Sequence, residues 1–263
     1  MANTSIKNQI KIIKGDCLKI LDTIKESSID IIITSPPYNL NIKYNAYKDN
    51  KKRQDYLNTL NQIFSKLKSV LKENGSFFLN IGHSSKDPWV SIDVINECRS
   101  KFILQNKFVW VKSIAIENNT FGHFKPINSD RYVNITTEDI YHLTKKDDTK
   151  INKNAIGVPY KYKSNIARYN HKEDRHCRGN AWFIPYKTIQ NKLEKGKHPA
   201  IFPEKLVENC LLLHGNLDKN TVSLDPYAGT GTVAVVSKKL GIKNISIEID
   251  EEYIKFIENR LNE

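Results

Sequence analysis

"VSLDPYAGTGTVAVV", residues 222–236, changes character twice over its length. Val222–Leu224 is a short apolar run that reads as a buried strand. Asp225-Pro226 ends it, Ala228, Gly229, Thr230 and Gly231 form a small-residue turn, and an apolar-periodic helix runs from Gly231 to Leu240. Strand, tight turn and helix in that order are the repeating unit of a parallel α/β sheet. Glycines in such a turn let the backbone approach a ligand closely and leave helix N–H groups available. One helix later, Asn244–Ile249 reads as a strand with Glu248 and Asp250 at its tip, where a carboxylate accepts hydrogen bonds from a ribose. The turn is not GxGxxG and no GK[ST] follows it, so a smaller adenosine ligand is favoured over a dinucleotide or a nucleoside triphosphate.

Outward from this unit, short β-branched runs alternate with amphipathic stretches. The expected strands are Ile10–Ile13, Ile29–Ile33, Ser76–Ile81, Leu104–Trp110 and Glu138–Leu143. The expected helices are a segment from Asp16 through Lys25, Tyr56–Leu71, Val90–Phe102, Pro203–Leu213 and Glu251–Leu261. Gly15-Asp16 puts another carboxylate at a strand end, suited to an adenine amino group or to capping the helix behind it. From 145 to 197 the periodicity fades into Lys, Arg, Tyr and Asn, which reads as an insertion at one end of the sheet. The fold class is therefore α/β, a mostly parallel twisted sheet with helices on both faces, in one domain over 1–263.

The chain's 263 residues suffice for a sizeable core, and 39% are hydrophobic, with no apolar run long enough to span a bilayer. The first residues lack the apolar stretch of a signal peptide, so no membrane association and a cytoplasmic location are expected. Cys17, Cys98, Cys177 and Cys210 are widely spaced without a CxxC pair, which suggests reduced thiols and no metal site. Forty-one Lys and Arg against 29 Asp and Glu give a net charge of +12, which points to a polyanionic partner such as nucleic acid. An abundance of Lys, Asn and Ile also fits a compositional bias.

"IIITSPPYNL", residues 31–40, ends a core strand in a donor-free corner, because two prolines fix two φ angles and remove two N–H groups. An exocyclic base amine is a poor nucleophile, since its lone pair is delocalised into the ring. Accepting hydrogen bonds from both of its N–H groups favours a pyramidal nitrogen with a localised lone pair. The Ser35 hydroxyl and the Pro36 carbonyl are two such acceptors, held still by Pro36 and Pro37. Tyr38 offers a flat face for an extruded base.

With both motifs in view, the chain resembles the S-adenosylmethionine-dependent DNA amino-methyltransferases over nearly its whole length. Ser35-Pro36-Pro37-Tyr38 is similar to their catalytic (D/N/S)PP(Y/F/W) motif. Asp225, Pro226, Tyr227, Ala228, Gly229, Thr230, Gly231 and Thr232 are similar to their cofactor motif DPFxGxGT. The catalytic motif comes first, which is the circularly permuted order of the β subgroup. The resemblance implies a Rossmann-like methyltransferase fold, with S-adenosyl-L-methionine as cofactor and double-stranded DNA as substrate. It also implies Asp16 near the adenine, Glu248 on the ribose and "HPAIFPEKL" (198–206) near the methionine end. C5-cytosine chemistry is disfavoured because no cysteine follows a proline.

The same resemblance makes 145–197 a target-recognition region. Lys161, Lys163, Arg168, Lys172, Arg175 and Arg178 are expected at phosphates or base edges, and Asn165, Asn180 and Trp182 at bases. Phe121–Arg131 is placed for a flipped base, and Asn39–Asp55 for a mobile lid. Serine before Pro-Pro is the commoner residue among cytosine-N4 enzymes, and "HPAIFP" looks more like that group than the adenine-type HPTQKP. Cytosine N4 is thus the expected target, with adenine N6 as the alternative. RNA amino-methylation and a catalytically silent nucleic-acid-binding subunit are the rival readings. A protective role in a prokaryotic restriction–modification system, with an orphan regulatory enzyme as the alternative, a cognate endonuclease and a homodimer complete the expectation.

Overall fold

In this computed structural model, which describes residues 9–42, 49–170, 172–185 and 203–263, two central strands carry the core. They are β2 (Ile29–Thr34) and β3 (Leu71–Ile81), paired in parallel. Ile31 and Ile33 pack into one hydrophobic cluster and Ile32 into the other, so both faces of β2 are covered. That is the condition under which a strand reads as an unbroken apolar run.

Around this pair the chain adds β1 (Ile10–Lys14), α1 (Cys17–Ile20), α2 (Arg53–Val70), α3 (Val90–Cys98) and β4 (Ile103–Val111). A hairpin of β5 (Ser113–Ile116) and β6 (Asn119–Gly122) precedes β7 (Thr137–Thr144), α4 (Ser164–Arg168) and β8 (Ala181–Phe183). The chain closes with α5 (Glu204–His214), β9 (Val222–Asp225), α6 (Thr232–Lys239), β10 (Lys243–Glu248) and α7 (Glu251–Asn262).

The main sheet has the order β1-β10-β9-β2-β3-β7-β4-β8, and only β7 runs antiparallel to its neighbours. Residues of α1, α2 and α3 fill one core cluster, and residues of α5 and α6 fill the other. From β9 the strands proceed outward through β10, and from the neighbouring β2 they proceed the other way through β3. The boundary between β9 and β2 is a topological switch point, and ligands of open α/β sheets bind beyond the carboxyl ends of strands at such a point. None of the described helices is long and apolar enough to cross a membrane.

The departures from the sequence reading have local causes. The helix after Asp16 stops at Ile20 and tightens into a 3₁₀ turn, Leu21–Thr23, short of the expected Lys25. The second helix begins at Arg53, before its apolar stripe, because its first turn is polar. The third ends at Cys98, and Phe102 returns to the core beyond it. The hairpin, α4 and β8 carry no strong periodicity.

Trp182 corrects the expectation of a base contact. It is 0% exposed, stacks on Phe108 at 4.4 Å between ring centroids, and donates from Nε1 to the Gly179 carbonyl at 3.2 Å. A large apolar ring closes the open edge of β4, so burial wins over surface recognition. Ile156 and Ile184 join the same cluster. The stretch from 145 therefore shares the main core and leaves an exposed portion between about 157 and 180.

At the end of the sheet remote from the switch point lies a buried polar chain. Asn106 Nδ2 lies 3.1 Å from His142 Nδ1, His142 Nε2 lies 3.0 Å from Ser76 Oγ, and Ser76 Oγ lies 2.9 Å from His214 Nδ1. One consistent assignment has Asn106 donating to His142, His142 to Ser76 and Ser76 to His214, with both rings neutral. Burial, and then the neighbouring His214, push His142 down to about 3. The unfolded chain thus binds a proton near the ordinary imidazole value that the folded chain refuses. Stability falls as pH drops below roughly 6.5, by about 2 kcal/mol from His142 between pH 7 and pH 5. Urea denaturation of wild type and His142→Gln at both pH values checks this. The variant is expected to show a loss smaller by about that amount, and an equal loss would take His142 out of the acid sensitivity.

Candidate active site

The strand-to-helix turn that opens α6 is built on carboxylates. Glu248, at the tip of β10, accepts from Gly229 N through Oε2 at 2.7 Å, and from Ile249 N and Asp250 N through Oε1 at 2.8 and 2.9 Å. Tyr227 N donates to Asp225 Oδ1 at 3.1 Å, Ala228 N to the Ile247 carbonyl and Gly231 N to the Ala228 carbonyl. The turn's donors at Tyr227, Ala228, Gly229 and Gly231 are thus satisfied inside the protein, while the first helical N–H groups, those of Thr232, Val233 and Ala234, meet no acceptor among the described residues.

Two of the motif glycines differ in purpose. Gly229 has φ 52 and supports the turn itself. Gly231 has φ 74, and an added Cβ would lie 2.7 Å from the Ile257 side chain, so it is required for the packing of α7 against α6.

Asp225 does not line the cavity below. It is buried behind the turn and accepts from Thr34 Oγ1 at 2.8 Å. Burial pushes its carboxyl up to about 7, with Glu248 adding to the effect. This contact joins the carboxyl ends of β9 and β2 across the switch point and fixes the Ser35 corner relative to the turn. Burial also raises Glu248.

A cavity of about 1230 Å3 opens at this point. Its one wall is made of Asp16, Pro226, Tyr227, Ala228, Gly229, Thr230, Thr232 and Glu248, and the facing wall of Ser35, Pro36, Pro37 and Tyr38. Structure and sequence thus bring both motifs to one space. Asp16 caps α1 by accepting from Leu18 N at 3.0 Å and also lines the cavity, so the capping role leaves it at the site. The buried Oδ2 of Asp250 meets no donor among the described residues, and Glu248 Oε2 accepts a single hydrogen bond among them. This wall has acceptor capacity in hand for ribose hydroxyls, which fits an adenosine cofactor. Cys17 is packed at its edge with its thiol pushed up to about 12 by burial, and it is no nucleophile.

On the opposite wall, Tyr56 Oη donates to the Pro37 carbonyl at 2.8 Å, while the Pro36 carbonyl meets no donor among the described residues. Ser35 Oγ lies 2.8 Å from Tyr38 Oη. Ser35 and Pro36 thus line the cavity on a rigid corner, each carrying an acceptor oxygen. The loop 123–127 also lines the space, whereas Phe121 and Gly122 belong to β6.

The segment expected to be a lid is tied down at both of its described ends. Buried Asp49 accepts from the N–H groups of Asn39, Leu40 and Ile42 at 2.8, 3.0 and 3.0 Å, and Asn39 exchanges two bonds with Lys51. Residues 43–48 lie outside the described residues, as do 198–202 of the "HPAIFP" stretch.

The candidate DNA contacts sit around α4, away from the cavity walls. Lys161 lies over the Tyr162 ring at 5.4 Å and Arg168 over the Tyr169 ring at 5.6 Å. Lys163 is paired with Asp174, and Arg175 Nη1 donates to the carbonyls of Asn154 and Ala155. Arg178 is half-buried with Nε unpartnered among the described residues, and Lys172 is exposed. Asn180 Nδ2 donates to the Lys107 carbonyl, while the bonds of Asn165 are main-chain bonds of α4. Sequence reasoning missed Thr34, Asp49, Lys112 and Glu138, which act through contacts between distant segments.

Fold and site together define a permuted, Rossmann-like methyltransferase. Residues 29–259 match the family profile described as DNA methylase, and the chain belongs to that family. It is 28% identical over 261 residues to the Type II methyltransferase M.BglII of Bacillus subtilis, covering 93% of this chain and 66% of that one. To the DNA adenine methyltransferase YhdJ of Escherichia coli (strain K12) it is 27% identical, covering 98% and 85%. The solved PvuII DNA methyltransferase (cytosine-N4-specific) superposes with a TM-score of 0.71 at 19% identity, over 96% of this chain and 86% of that one.

Proposed function

We propose that this chain transfers a methyl group from S-adenosylmethionine to the exocyclic amine of a base flipped out of duplex DNA, with cytosine N4 as the target. The observation that carries the reading is the single cavity shared by the Glu248 wall and the Ser35–Tyr38 corner. When bound, the cofactor supplies an electrophilic methyl group: a C–N bond forms as the C–S bond breaks, the thioether departs, and one amine proton is released to solvent. Glu248 and Asp250 hold the ribose, and Asp16 lies toward the adenine. Ser35 Oγ and the Pro36 carbonyl accept the two amine N–H bonds, and the Tyr38 ring supports the base. The serine supports cytosine, since it offers a neutral acceptor where an aspartate offers a charged one.

The exposed portion of 145–197 is the target-recognition region in this reading, with Lys161, Lys163, Arg168, Arg175 and Arg178 directed to DNA. Lys161 and Arg168 are the better candidates for phosphate, because they carry no ion pair among the described residues. Replacing both with alanine is expected to flatten the log–log salt dependence of DNA affinity by about one unit each. An unchanged slope assigns these cations to solvent. The type II designation of M.BglII supports work beside a cognate restriction endonuclease in a prokaryotic cytoplasm. A homodimer rests on the motif resemblance alone.

The target is tested by incubating the protein with unmethylated genomic DNA and cofactor, followed by nucleoside mass spectrometry. N4-methylcytosine is the expected product. N6-methyladenine alone would move the target to adenine and leave the amine chemistry standing.

A further inference from the structure

The antiparallel strand β7 brings its first residues beside the carboxyl ends of β3 and β4, at the cavity. There Glu138 Oε2 accepts from Tyr38 Oη at 3.1 Å, and Glu138 Oε1 accepts from Lys112 Nζ at 2.9 Å. Both side chains of the Lys112–Glu138 pair are less than one-fifth exposed. Gly82 leaves room for the meeting, since an added Cβ would lie 3.0 Å from both Glu138 Cγ and Tyr38 Cε2.

We infer that Glu138, held by Lys112, is a positioning residue that sets the direction of the hydroxyl protons on Tyr38 and Ser35. The inference rests on the proposed amine chemistry and adds what orients its acceptor. A phenol has one proton, and an ionised carboxylate can only accept, so Tyr38 donates to Glu138. The 2.8 Å contact between Ser35 Oγ and Tyr38 Oη then requires Ser35 to donate to Tyr38. With its only proton committed, Ser35 Oγ presents lone pairs to the cavity and accepts from the amine. Without the carboxylate, Tyr38 is free to donate to Ser35, whose own proton then meets the substrate N–H donor against donor. The same bond anchors the Tyr38 ring as a stacking surface.

A double-mutant cycle of Glu138→Gln and Tyr38→Phe tests this, with kcat, KM for DNA and cofactor affinity by calorimetry as readouts. Glu138→Gln is expected to lower kcat about tenfold with cofactor affinity unchanged. In the Tyr38→Phe background the same change is expected to cost nothing further, because its route to Ser35 is already gone. A wild-type kcat in Glu138→Gln, or an equal tenfold loss in both backgrounds, overturns the inference. Should Glu138→Gln fail to fold, Gly82→Ala takes its place in the cycle, since it intrudes between the two groups and removes neither. Cofactor binding without methyl transfer to any DNA by the wild-type protein would overturn the underlying reaction and this inference with it. An active wild type with an additive cycle overturns the inference alone.

Discussion

Ser35→Ala is expected to lower kcat for methyl transfer by about 10²–10³-fold, the size of effect seen when one preorganised polar group is removed from a reacting centre. The substitution removes one acceptor of the pair that polarises the amine and leaves the Pro36 carbonyl in place. Cofactor affinity is expected to stay at the wild-type value, because the ribose wall lies on β10 and the α6 turn. KM for DNA is expected to change little, because the Tyr38 ring remains as the base support. The Thr34–Asp225 bond sits one residue away and keeps β2 tied to β9, so the corner itself stays put. Steady-state kinetics beside calorimetry separate these quantities. A kcat within twofold of wild type would remove the Ser35 hydroxyl from the reaction.

Glu248→Ala is expected to weaken cofactor binding by about 100-fold. The loss of a hydrogen bond to a charged group accounts for roughly 1.5–3 kcal/mol. The larger consequence is structural. Gly229, Ile249 and Asp250 lose the acceptor of their N–H groups together, and the wall against which the nucleoside packs loses its brace. A drop in Tm should accompany the affinity loss. Glu248→Gln keeps one acceptor oxygen and is expected to fall between wild type and alanine in both measurements. Unchanged affinity in a folded Glu248→Ala protein would take Glu248 out of the site.

The parts of this site that were readable in the sequence are those written in contiguous residues. Ser35-Pro36-Pro37-Tyr38 announces itself because paired prolines cannot continue a ladder. The strand, small-residue turn and helix at 222–236 announce a cofactor-type crossover in the same way. Their meeting in one cavity follows from strands β2 and β9 being neighbours, which the alternating pattern suggested without specifying. Within the turn, residue type was readable and purpose was not: Asp225 and Gly231 match the motif, yet one ties two strands together and the other admits a helix. Both roles depend on partners, Thr34 and Ile257, far away in sequence.

What stayed hidden is what only tertiary pairing creates. Glu138 reads as one polar residue at a strand start until β7 is seen to reverse and lie beside β3. Asp49 reads as part of a charged loop until three N–H groups converge on it. Trp182 failed in the other direction. An aromatic ring in a basic stretch suggested base stacking, and the need to close a sheet edge took precedence.

The most direct measurement is transfer of a labelled methyl group from S-adenosylmethionine into duplex DNA, run beside RNA and beside the Ser35→Ala protein. Label is expected in the DNA, on an exocyclic base nitrogen, with little in RNA and little from the variant. Tight cofactor binding with no label in any DNA, or label in RNA in preference to DNA, would contradict the proposed reaction.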